Sequence, residues 1–141
     1  MNAKQMILAA VLIFTSAYCA QAQTTGPVLD HASAAKKDRI DMSYARALSF
    51  DNKGVVEAAL AVVTKLKLDN PAVEFPRIMK EVSYLATHSD IPMVRYRACL
   101  AEAVFINPAQ FQEAATRQYS DANAFFSALD ERAAAPSLSS Y

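Results

Sequence analysis

Few residues in this 141-residue chain have the chemistry for a reactive site. His31 and His88 are the imidazoles, Cys19 and Cys99 the thiols. Metal ligation and acid–base work need partners at fixed spacing, and neither histidine has a second ligand close by in sequence. Glu102 lies three residues past Cys99 and seven past Arg95, but no second carboxylate is spaced to share proton transfer with it. Gly26 and Gly54 are the only glycines, so no phosphate-cradling loop exists. No serine sits in a nucleophile elbow. The expectation is no catalytic residue, no cofactor and no metal. His88 is expected at a helix C-terminus, where a donor or a cation is favourable. His31 falls in a leader segment and is expected to have no role.

Charge narrows the partners. Fourteen Lys+Arg against fourteen Asp+Glu leave no net positive field for nucleic acid. No charge block suggests a membrane-adsorbing tail. The first 22 residues read as an export signal: Lys4, an apolar run from Met6 to Phe14, and small residues at Ala20 and Ala22 before Gln23. The apolar run is shorter than the ~20 residues a spanning helix needs, so no stable membrane insertion is expected after cleavage. Tyr18 stands where a lipoprotein signal needs a small residue before Cys19. The mature chain is therefore expected in the periplasm or outside the cell, with Cys99 as its one thiol and no intramolecular disulfide.

The elements that must carry any site are helical. Two glycines are too few for a turn-rich β protein. Residues 23–37 lack a clear period and read as a flexible leader that hands over to a helix near Ser33 to Asp38. Helical spacing begins with Ile40, Tyr44, Ala47 and Leu48. A broad stripe follows Asp51-Asn52-Lys53-Gly54, through Val55, Ala59, Val62, Val63 and Leu66, widened by Val56 and Leu60. Pro76 and Pro92 suit first helical turns, because their missing N–H would have had no partner. Asn107-Pro108-Ala109-Gln110 starts a fifth helix, with Gln110 placed to reach back as in a capping box. Asp121 caps a last one holding Phe125, Phe126 and Leu129. The helical domain is expected over 38–134, with a flexible tail at 135–141.

The helices repeat. Asp51, Val55 and Ala59 recur as Asp90, Val94 and Ala98, and Asn70-Pro71-Ala72 as Asn107-Pro108-Ala109. A capping Asp starts each helix, the residue four on packs inward, and a small residue four further admits the neighbouring helix. The series Asp90, Pro92, Val94, Arg95 and Ala98 (D-x-P-x-V-R-x-x-A) resembles the opening of the second helix of a HEAT-like repeat. In the first copy Val56 stands where the Arg would be, and a third copy at Asp121, Phe125 and Leu129 is shorter. The resemblance implies antiparallel helix pairs stacked in a curved array that holds another protein, and no catalytic residue. It also implies that Arg95 bridges to an acidic turn at Asp51 or Asp90. Tyr96 and Arg97 are the partner-contact candidates. Cys99 aligns with Leu60 and is expected to be buried.

The sequence thus predicts an all-α domain of five to six short helices, a short HEAT-like superhelix or compact bundle, acting as a protein-interaction or scaffold module. Two alternatives stand beside it: a small-ligand carrier between helices, and an enzyme around Glu102, His88 or Cys99 with no recognisable motif.

Overall fold

A computed structural model of the chain describes residue 29 and residues 32–135. The export signal expected at 1–22, His31 and the tail beyond 135 lie outside the described residues. Six α-helices make up the described part: α1 Ala34–Leu48, α2 Lys53–Asp69, α3 Pro76–His88, α4 Pro92–Ile106, α5 Gln112–Ala115 and α6 Ala122–Ala134. A 3₁₀ turn over Pro108–Phe111 leads into α5. Among the described residues there is no strand, and the protein is all-α, a compact bundle of packed helices.

The helix starts show how local chemistry sets the boundaries. Ser33 caps α1 by accepting from the Lys36 N–H at 3.3 Å, so α1 starts where the handover from leader to helix was expected, between Ser33 and Asp38. Leu29, farther back in the expected leader, is fully buried. The ordered domain therefore begins earlier than residue 38. Asn52, rather than Asp51, caps α2 by accepting from Val55 N–H at 3.2 Å. Pro92 takes the first turn of α4, and Asp90 is not its cap: Ile91 holds that position with no side-chain cap bond. Asp121 caps α6 as expected, accepting from Ala124 N–H at 2.9 Å. The fifth helix is shorter than its sequence suggested. No capping box forms, because the Gln110 side-chain amide donates instead to Arg132 O at 3.4 Å.

The first four helices stand at the corners of a square: α1 meets α2 and α3, and α4 meets α2 and α3. α6, α5 and the 3₁₀ turn cover the α2–α4 edge. Phe75, Phe111 and Phe126 are among the largest fully buried side chains, with Leu60, Ile78 and Leu129 beside them. Each such aliphatic side chain contributes about 1.5–3 kcal/mol of burial.

The buried faces of α2 and α4 match at a different offset from the one the sequence suggested. Val56, Leu60, Val63 and Leu66 on α2 stand to the core as Val94, Ala98, Ala101 and Val104 do on α4. α2 has 17 residues and α4 has 15, so helix starts, middles and ends cannot share one offset. Two expectations fall with this shift. Val55 is 40% exposed instead of lying in the seam. Cys99, aligned with Leu60, is exposed rather than buried.

Candidate functional site

Arg95, expected to bridge an acidic turn, meets no carboxylate. It is exposed, and its guanidinium donates to Ser89 O at 2.9 Å across the start of its own helix. The buried arginine is Arg97, so Arg97 is not a surface contact. Its side chain is 8% exposed and lies 3.7 Å from Glu57 Oε2 on α2. It donates to Asn123 Oδ1 on α6 and sits 5.4 Å from the centre of the Phe126 ring. Three helices are tied at this point, and the Arg97 Nε has no hydrogen-bond partner. The signal was present in the sequence: position 97 falls on the same helical stripe as Val94, Ala101 and Val104. Tyr96 does remain exposed. Its phenol is raised above its ordinary range, first by desolvation and then by a hydrogen bond to Asp130 and that group's charge.

Other polar groups are buried for structural ends that spacing did not reveal. Asp41 of α1 accepts from the Arg77 and Ile78 N–H groups at 3.1 and 2.9 Å. It thereby caps α3, whose own N-cap residue, Phe75, has no side chain for the task. Asp38 also pairs with the Arg77 guanidinium at 2.5 Å, and this holds Arg77 above its ordinary range. Buried Lys67 donates to Pro71 O and Val73 O at 3.0 and 2.8 Å. Buried Asn70 accepts from Leu29 N–H at 2.5 Å and donates to Leu66 O at 3.0 Å. Asp69 ends α2 half-buried, its carboxyl raised by desolvation, with Lys65 pulling it back.

The remaining candidates do not converge. His88 ends α3 as expected and stacks on Tyr84, ring centres 4.6 Å apart. Glu102 accepts from Ser83 Oγ at 2.6 Å, linking α4 to α3. Cys99 points to Ala86 O at 3.7 Å. Among the described residues no three His, Cys, Asp or Glu side chains are grouped to hold a metal ion. A cleft of about 230 Å³ lies between Tyr119, Ala128 and Arg132. Its two arginines, Arg117 and Arg132, both pair with Glu113. It is smaller than the roughly 300 Å³ at which small-molecule pockets begin.

The surface offers more than the interior. Val55 and Val62 on α2 are 40% and 44% exposed. Glu57 marks the side of α2 that meets α4. At 100° per residue, Val55 and Val62 stand about 160° and 140° from it. They therefore lie together on the side of α2 turned away from α4. This is the outer edge of the first helix pair, where a stacked array would receive another layer.

Comparison with known proteins gave no match: no family model fits the chain, and no curated protein or solved structure resembles it.

Proposed function

We propose that this protein is an exported helical docking module that holds another protein, its helix pairs arranged as in HEAT-like repeats. The observation that carries the reading is the apolar edge at Val55 and Val62. Isolated exposed valines are ordinary, but two on one flank of α2 extend the apolar surface of the core outward. A partner helix or strand covering this edge removes that area from water. The export signal read in the sequence at 1–22 supports an encounter outside the cytoplasm.

The test is a double substitution, Val55→Asp with Val62→Asp, compared with the parent chain in cross-linking from envelope and medium fractions. Cross-linked protein species should disappear in the double variant while its thermal unfolding stays close to that of the parent. Recovery of the same species by both chains overturns the reading. N-terminal sequencing of the exported chain should begin at Gln23.

A further inference from the structure

The described part of the molecule has one covered long edge and one open one. α6 and the short helical segment lie over the α2–α4 edge. The opposite edge, α1–α3, carries no such cover among the described residues. These two helices run side by side in the same direction, since Asp41 meets Arg77 and Ile78 while Ser49 meets Glu81 at 3.0 Å.

The charges on the two edges are handled differently. On α2, α4, α5 and α6, and in the loop after α5, the basic side chains other than Arg95 each lie near a carboxylate. On α1 and α3 only Arg77 does. Lys36, Lys37, Arg39, Arg46 and Lys80 pair with no carboxylate among the described residues. The acids of this edge are already engaged: Asp38 and Asp41 with Arg77, and Glu81 with Ser49. Large apolar side chains share the surface. Met42 is exposed between Arg39 and Arg46, Phe50 is 57% exposed just past the end of α1, and Tyr84 is 58% exposed one turn beyond Lys80.

We propose that the α1–α3 face adsorbs to an anionic lipid surface. Charge complementarity names the occupant: an uncompensated cationic face attracts acidic headgroups. The form of the cations favours a bilayer over a folded acidic protein. They are long, separate side chains that no carboxylate among the described residues holds in place, suited to a diffuse layer of headgroups rather than to paired recognition. Their stems lie along the apolar surface while their heads reach the charge. Phe50 and Met42 supply apolar insertion, and Tyr84 has the amphipathic ring that settles at the headgroup level. The basic residues are split between 36–46 and position 80, so only the fold gathers them. Adsorption at this depth differs from spanning, and among the described residues no helix is long and apolar enough to cross a membrane.

The chain has no tryptophan, so Phe50→Trp creates a single reporter on the proposed face. With vesicles of phosphatidylcholine and phosphatidylglycerol at low salt, its emission should shift to the blue and the protein should co-sediment. Pure phosphatidylcholine should do neither, and added salt should reverse both effects. Each basic residue removed should weaken binding about fivefold, so Arg39→Ala with Arg46→Ala costs about 25-fold. Arg117→Ala, beside Glu113 on the covered α2–α4 edge, should leave binding unchanged. Equal binding to both vesicle types, no binding to either, or equal losses at Arg117 and at Arg39/Arg46 overturns the proposal. So does binding to polyglutamate without binding to acidic vesicles, which would identify an acidic protein surface as the ligand instead. A neutral variant of the docking edge, Val55→Ser with Val62→Ser, adds no charge and should bind vesicles normally, which separates a failure here from a failure of the docking edge.

Discussion

Asn70 and Asn107 occupy the same place in two copies of one local sequence, Asn-Pro-Ala, and end their helices with nearly the same backbone: φ −134°, ψ 62° and φ −137°, ψ 73°. Their side chains do different things. Asn70 is buried and holds the Leu29 segment against the end of α2. Asn107 is exposed, with no side-chain cap bond into the 3₁₀ turn after it. The sequence triplet determines how the chain leaves a helix. What arrives to cover that exit is determined elsewhere, here by a residue forty-one positions earlier.

The largest effect expected from this contrast is at Asn70. Asn70→Ala strands the buried Leu29 N–H and should cost about 2–3 kcal/mol in urea unfolding, whereas Asn107→Ala should change stability by less than ~0.5 kcal/mol. Equal costs would show that the shared backbone, not the burial, carries the stability.

The two arginines make a second pair. Arg97→Ala removes the tie between α2, α4 and α6 and should cost about 2 kcal/mol, discounted because Glu57 keeps some water. Arg95→Ala should be nearly neutral on the same measurement. Next comes Asp41→Ala, which uncaps α3 and should cost about 1 kcal/mol.

The smallest effect is at Asp69, and it depends on pH. Its folded pKa is raised above the ordinary 3.8, so the folded state binds that proton more tightly than the unfolded chain does. The contribution of Asp69 to stability is fully present below 3.8 and is lost as pH rises through the higher folded value. Asp69→Asn should therefore gain on the parent chain as pH increases over that window, with the two converging in acid. A gap that stays constant with pH would remove desolvation as the cause.

These contrasts also mark what was legible in the sequence. Pro76, Pro92 and Asp121 announced helix starts correctly, because such signals act within one turn. Val55 was misread because α2 is apolar on almost every side, and hydrophobic pattern alone cannot say which flank is covered. Cys99 was misplaced because one offset was applied to helices of unequal length. Of the candidate contacts, Tyr96 reaches the surface and Arg97 does not, since a guanidinium can be buried once Glu57, Asn123 and Phe126 converge on it. The Asp41 cap and the α1–α3 cationic face join distant stretches, so no local spacing encodes them.

Asp41 has one more consequence. The first turn of α3 begins with a proline and lacks a capping side chain of its own, so two of its amide hydrogens are satisfied only once α1 has docked. The two helices are thus bound into one cooperative unit: the amides of Arg77 and Ile78 should exchange with solvent in step with the detachment of α1, rather than with the fraying of α3 itself.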